Sequence, residues 1–402
     1  MTRDCSVIVP EAHAVGAVGV IRSLGRAGYR VHAMSAEKNA LGFFSNYTSR
    51  IAKAPLYESE DFIPWFYEYV KNHFIDAVIP SDGLLFAIRP VYDDFASLIT
   101  INCSKENLYR CYSKFEVMRS FMTYKGSCAV NGNLPSTLLV EDHTDVYIDD
   151  LSDLEKPLFI KVDADPEDLS KPARVYIEND SEKAFRRIKT LVSEYGRLTV
   201  QANAKGVDAG VYVLYWDNRV VAEFMNFSNH SVPHTGGFYS LRESFVHNRM
   251  KEDAVAKLKH LSWEGPAMME YRWDPVSDTF HFIEMNARFW GSLHHALYAG
   301  VDFPALLMDI FSGKKKADEI SLPEYAQGIQ CRYTFPMEVG YVLSLVKDPE
   351  LSYHKKLYAV IEFFLLFFNR SLFSDLYFPG DRKLYFFSIN QMLQTVFRNE
   401  NH

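Results

Sequence analysis

The chain has 402 residues, a length that predicts two or three domains and a sizeable buried core. Lys and Arg number 43 against 51 Asp and Glu, a net charge of −8, which argues against the clustered basic face of a duplex-binding protein and so against nucleic acid as a partner. Hydrophobic residues at 48% and charged residues at 23% exclude a disordered or low-complexity chain, while 15% aromatic content, concentrated toward the C-terminus, stands apart.

Residues 1–105 alternate strand-like and helix-like segments: strand 5–9, helix 14–27 closed by Gly28, strand 29–34, helix 61–73, and short strands at 77–79 and 98–101. That alternation predicts a parallel sheet with helical crossovers. Gly16 and Gly19 lie at the first strand-to-helix turn but lack the Gly-x-Gly-x-x-Gly spacing, so they read as tight packing. A helix over 104–121, capped by Ser104, opens the next unit, followed by strands at 137–140 and 158–162 and an amphipathic helix at 181–195. From about 198 to 312 several strands precede two short helices, and 313–402 reads as helical and rich in Phe and Tyr. Five cysteines without a Cys-x-x-Cys pair, no long apolar leader and no run of ~20 apolar residues point to a reducing cytoplasm without a transmembrane segment.

The densest chemistry lies in 267–288. Two strand-like runs flank 274–278, whose Asp274-Pro275 start and Ser277-Asp278 end are turn chemistry. A five-residue loop would set Trp273 opposite Thr279 and Glu270 opposite Phe282. Strand alternation then brings Glu284, diagonal to Glu270, and Asn286 onto the same face. Two carboxylates and an amide oxygen are hard ligands that suit Mg²⁺, with water and phosphate completing its shell. Arg272 and Arg288 share that face and would hold anions beside the metal. A bulge would flip the parity, and a solvent-facing charged strand is the plain alternative. Helix starts follow at Ser292 and at Asp302-Phe303-Pro304, and helix N-termini suit polyphosphate.

The run Phe282-Ile-Glu-Met-Asn-Ala-Arg-Phe-Trp-Gly-Ser-Leu293, followed by Ala299-Gly-Val-Asp-Phe-Pro304, resembles the ATP-grasp superfamily, in particular its carbamoyl-phosphate-synthase-like carboxylate-amine ligases. Upstream, Ser113-Lys114-Phe115, Asn133-Leu-Pro-Ser-Thr137, Leu158-Phe-Ile-Lys161, Val200-Gln201 with Lys205-Gly-Val-Asp208, and Pro233-His-Thr-Gly-Gly237 with Arg242 resemble further family segments in the family's order. The resemblance implies an α/β (α+β) fold. An N-terminal Rossmann-like pre-ATP-grasp domain would span 1–105 and a two-lobed ATP-grasp fold 106–312, with lobes of about 106–200 and 201–312. A helical, aromatic-rich C-terminal extension would occupy 313–402.

The resemblance also implies site roles. Glu270, Glu284 and Asn286 would hold ATP-bound Mg²⁺ (Mn²⁺ being the alternative). Arg288, with Arg272, would meet the transferred phosphate. Lys114 and Lys161 would contact nucleotide phosphate, Gln201, Ala202 and Ala204 the adenine, and Asp208 the ribose. His234, Gly236, Gly237 and Arg242 would lie near the second substrate. The implied activity is ligation of a carboxylate to an amine, an amino acid or peptide-like compound, through an acyl-phosphate.

Two departures stand out. The stretch after Lys161, Val162 to Arg174, lacks the family's glycines and carries four acidic residues, and Ala202 replaces the usual acid at the hinge. They leave open a degenerate fold that binds nucleotide or a small ligand without ligation. The apolar tail, Leu357 to Phe368 and beyond, leaves open a membrane-peripheral factor against a core-covering or dimer surface, so a homodimer is not excluded. His230, His234 and His247 read as polar surface or as substrate ligands.

Overall fold

The computed structural model describes residues 5–126, 128–164, 171–234, 236–369 and 371–399. Strands β1 (Ser6–Val9), β2 (Arg30–Ser35), β3 (Arg50–Lys53) and β4 (Ala77–Val78) form an all-parallel sheet in the order β3-β2-β1-β4. β1 is buried along its whole length, as a strand covered by helices on both faces must be. The segment expected as a strand at 98–101 makes a single bridge, Val78 to Ile99, because the 3-10 turn Ala96–Leu98 delivers the chain to the sheet too late for a ladder. Gly16 and Gly19 are packing glycines: a Cβ on Gly16 would lie 2.5 Å from the Trp290 carbonyl oxygen, and one on Gly19 3.2 Å from Leu293.

A second sheet, all antiparallel, contains β5 (Thr137–Val140), β6 (Leu158–Val162), β7 (Arg174–Glu178) and β8 (Leu198–Gln201) in the order β5-β8-β6-β7. The helix Ser181–Tyr195 covers one face, and Leu158, Ile160, Ile188, Val192 and Val200 close a small core of their own.

The third sheet has seven strands: β9 (Val207–Trp216), β10 (Arg219–Val232), β11 (Phe238–Ser244), β12 (Gly265–Asp274), β13 (Thr279–Asn286), β14 (Gln330–Arg332) and β15 (Leu372–Ser374), ordered β13-β12-β9-β10-β11-β14-β15. It shares two hydrophobic clusters with the parallel sheet. One joins Ile8, Val78 and Leu108 to Val211 and Met269; the other joins Val9, Ile21 and Leu24 to Leu214, Trp290 and Leu293. The parallel sheet and the seven-stranded sheet therefore form one continuous body, and the four-stranded sheet stands against it as a separately packed lobe.

Two helical expectations are corrected. The segment after 313 is not purely helical, since β14 and β15 add a parallel pair to the large sheet. The single helix expected over 104–121 is two, Lys105–Tyr112 and Lys114–Thr123, parted at Ser113. The break has a local cause. Ser113 Oγ accepts from Glu116 N at 3.0 Å, and Asp163 accepts from Lys114 N at 2.9 Å and Phe115 N at 3.3 Å, so a full set of N-terminal donors is capped there.

Candidate active site

The β12–β13 hairpin closes one residue tighter than the spacing suggests. Asp274 faces Thr279, so Tyr271, not Glu270, faces Phe282. A bulge between Tyr271 and Glu270 in the pairing then restores the parity, and Glu270 comes directly opposite Glu284. Alternation along β12 sends Ala267, Met269 and Tyr271 into the core and leaves Glu270 and Arg272 on the other face. Asn286 Nδ2 bridges the two carboxylates, 2.7 Å from Glu270 Oε1 and 3.4 Å from Glu284 Oε1. The three residues predicted to share a face do so.

Two lysines converge on this pair, Lys161 from the four-stranded lobe and Lys114 from a helix whose Val117, Met118 and Phe121 share the main body's core with Met269 and Phe282. Lys114, first residue of its capped helix, donates to Glu284 Oε2 at 2.8 Å, and Lys161 on β6 donates to the same oxygen at 3.2 Å. Gln201, at the end of β8, donates to the Ile283 carbonyl at 3.3 Å. Burial and then the charge of Glu284 push the Glu270 carboxyl above the usual range. At Glu284 burial works in the same direction, but Lys114 and Lys161 outweigh it and hold its carboxyl low. Burial, aided by repulsion from Lys114, lowers Lys161.

The hinge segment follows β8. Ala202 N donates to the Ser136 carbonyl at 2.9 Å, and both Ala202 and Ala204 are buried. Asp208 does not stand free for a ribose. Its Oδ1 pairs with Arg272 Nε at 3.1 Å and its Oδ2 accepts from Ser231 at 3.2 Å, which follows from the register that sets Asp208 opposite Arg272. Gly236 borders this pair: its φ is +126°, and a Cβ there would lie 2.7 Å from an Arg272 guanidinium nitrogen. Gly237 is equally constrained, at φ +146° and with the Val232 carbonyl 2.3 Å from its would-be Cβ.

Arg288 leaves the strand end toward the parallel-sheet unit, where its Nε donates to both Asp82 oxygens at 2.9 Å. Nothing local in the sequence marks Asp82, which sits 206 residues away. Arg242 and His234 depart from the expectation that they face a substrate. Arg242 is 3% exposed and ion-paired with Asp375, which the C-terminal segment inserts in front of it. His234 spends its ring nitrogens on Ser344 Oγ at 3.1 Å and Asp348 Oδ2 at 2.9 Å. His230 is likewise held by Glu338 at 2.7 Å, and His247 by Asp278 at 2.8 Å.

Of the acidic stretch after Lys161, Asp163 serves as the helix cap described above instead of facing phosphate, while Asp165, Glu167 and Asp168 lie outside the described residues, as does Thr235.

Residues 241–310 match the family described as the ATP-binding domain of the carbamoyl-phosphate synthase L chain. Solved structures extend the likeness over most of the chain. The L-amino acid ligase from Bacillus licheniformis superposes with a TM-score of 0.55 at 15% identity, covering 80% of this chain and 77% of that one. The biotin carboxylase–β-γ-ATP complex from Campylobacter jejuni gives 0.57 at 16% identity, over 81% and 74%. The chain has the ATP-grasp fold.

A third ATP-grasp structure is the biotin carboxylase domain dimer of the Hydrogenobacter thermophilus 2-oxoglutarate carboxylase, in complex with MgADP, ADP and bicarbonate. It matches at a TM-score of 0.58 and 13% identity, over 81% and 71%. No curated protein matches the sequence. The family match spans Glu270, Glu284, Asn286 and Arg288, and leaves Lys114 and Lys161 to be recognised by their convergence. Among the described residues no three His, Cys, Asp or Glu gather as a metal cluster. The donor set is thus two carboxylates and the Asn286 amide, hard oxygens that fit a Mg²⁺ whose remaining ligands are water and phosphate.

Proposed function

We propose that this chain is an ATP-dependent ligase that joins a carboxylate to an amine, with Glu270, Glu284 and Asn286 as its Mg²⁺ ligands. The observation that carries the reading is the convergence on one point of a carboxylate pair, Lys114 from the same body and Lys161 from the separately packed lobe. A paired carboxylate site needs cations, and Lys114 and Lys161 supply them until MgATP takes over that role. Bound there, Mg²⁺ supplies charge neutralisation for the triphosphate.

The chain's own residues do the rest. Lys114 and Lys161 turn from Glu284 to the phosphates, and Gln201, Ala202 and Ala204 border the adenine. Asp208 takes the ribose by exchanging its contact with Ser231. Arg288, oriented by Asp82, and Arg272, beside the Gly236-Gly237 loop, hold the anionic carboxylate and the phosphate it receives. The carboxylate oxygen attacks the γ-phosphorus and ADP leaves; the amine then attacks the acyl carbon, phosphate leaves, and the ammonium proton is lost to solvent. Positioning and charge carry such a reaction, and no nucleophilic side chain is required. The space between Lys114, Lys161, Gln201 and Glu284 is about 10 Å³, enough for a water. Nucleotide entry therefore requires the small lobe to swing away, which its independent core permits.

The test is phosphate release from MgATP against a panel of amino acids and small carboxylates, with mass spectrometry of the products. Release that needs two substrates, and a product mass equal to their sum less water, is the expected result. The glycine-free stretch after Lys161 favours one rival, a nucleotide binder without turnover. ATP protection against heat with no release across the panel would favour that rival.

A further inference from the structure

The helices Val339–Lys347 and Tyr353–Leu365, with the 3-10 turn Leu366–Phe368, form a hairpin against the β10–β11–β14 side of the large sheet. Its inner side is fully engaged. Tyr341 stacks on His230 with ring centroids 4.1 Å apart, and Ser344 and Asp348 hold His234. The Arg332 guanidinium lies 4.5 Å from the Phe363 ring centroid and donates to the Phe363 carbonyl at 3.1 Å.

The outer side is apolar and, among the described residues, no other element covers it. Tyr353, Leu357, Ile361, Phe364 and Phe368 recur at helical spacing, with exposures of 74%, 43%, 46%, 60% and 82%. A continuous stripe of this kind, on a hairpin whose opposite face already anchors it, marks an interaction surface and not a core.

Charge says what covers it. The chain as a whole is strongly acidic at −8, while residues 339–368 hold Lys347, Lys355 and Lys356 against Asp348, Glu350 and Glu362. Two of those acids are turned toward the sheet, Asp348 to His234 at 2.9 Å and Glu362 to His230 at 3.6 Å. Lys347, Lys355 and Lys356 sit on the same hairpin as the stripe and make no ion pair among the described residues. A second copy docked face to face would bring these lysines toward their own counterparts, whereas an anionic lipid surface meets both the stripe and the cations. No helix of the described residues is long and apolar enough to cross a membrane, so the contact is with the surface.

We propose that the 339–368 hairpin docks on an anionic lipid bilayer, the stripe entering the headgroup region and the three lysines meeting lipid phosphates. This stands independently of the ligase reading.

The experiment is flotation of the full chain with vesicles of equal parts phosphatidylserine and phosphatidylcholine, and with phosphatidylcholine alone. The wild type should float at least about tenfold more with the anionic vesicles, and high salt should reduce that fraction. Phe364→Glu/Phe368→Glu should remain in solution with an unchanged melting temperature, because both side chains lie outside the core. Failure of the wild type to float, or equal flotation with both vesicles, overturns the proposal. So does light scattering that shows a dimer which the same double substitution splits.

Discussion

Glu284 sits between two lysines that repel one another, and its charge is what makes their approach tolerable. Lys114 and Lys161 reach the same oxygen at 2.8 and 3.2 Å, so removing the carboxylate would strand two cations in a half-buried space. Replacement by Ala would add an empty space to that loss of charge, whereas Gln keeps the volume and an accepting oxygen for the lysines and is the cleaner probe.

The same logic governs two histidines on the helix Leu293–Ala299. Arg22 donates to His294 Nε2 at 2.9 Å, and His295 holds the Ile329 carbonyl at 2.8 Å while facing the Asn226 amide at 3.2 Å. Burial, then the charge of Arg242, pushes His295 down from 6.5 to about 3. A lowered histidine value contributes stability that is complete above about pH 6.5 and is lost as pH falls toward 3. At pH 5 that one ring costs about 2 kcal/mol. The denaturation midpoint should therefore fall between neutrality and about pH 5, and His295→Gln should flatten the slope. Identical slopes in the two proteins would contradict the assignment.

At the level of elements, the hairpin face was readable from spacing alone, because alternation with period two places Glu284 and Asn286 together whatever the loop does. The register was not readable. The tighter loop moved every pair by one and the bulge moved it by one more, which restored the parity and turned the expected diagonal into a direct opposition. The break at Ser113 was hidden for a related reason: the helical pattern runs through it, and the deciding cap, Asp163, arrives from another strand end 50 residues on. That cap gives a prediction about the element carrying Lys114. Ser113→Ala should cost about 1 kcal/mol and Asp163→Ala about 2 kcal/mol, since the aspartate serves more donors. Urea denaturation of both variants measures this, and unchanged midpoints would show that the second helix needs no cap.

Across the whole molecule, the C-terminal segment is a clasp. Asp381 accepts from Arg22 Nε, from Ser45 Oγ and from Asn46 N, each at 2.8 Å, while Arg22 donates to the Asp375 and Leu376 carbonyls at 2.7 and 2.8 Å. These partners lie some 335 to 359 residues apart in the chain, and no local pattern announces them. They explain why Arg242, which sequence order places near a substrate, instead pairs with Asp375. Asp381→Ala leaves Arg22 buried without its carboxylate and should cost about 3–5 kcal/mol in chemical denaturation. A loss below about 1 kcal/mol would mean the clasp is ornamental to the fold.

The central claim is that the carboxylate pair between the lobes receives MgATP. The most direct test is calorimetric titration of MgATP into the wild type and into Glu284→Gln, with circular dichroism and melting to show that the variant keeps its fold. The wild type should bind, and the variant should bind at least about tenfold more weakly, a difference of about 1.4 kcal/mol. Equal affinity in the two proteins, or no binding by the wild type, would contradict the account.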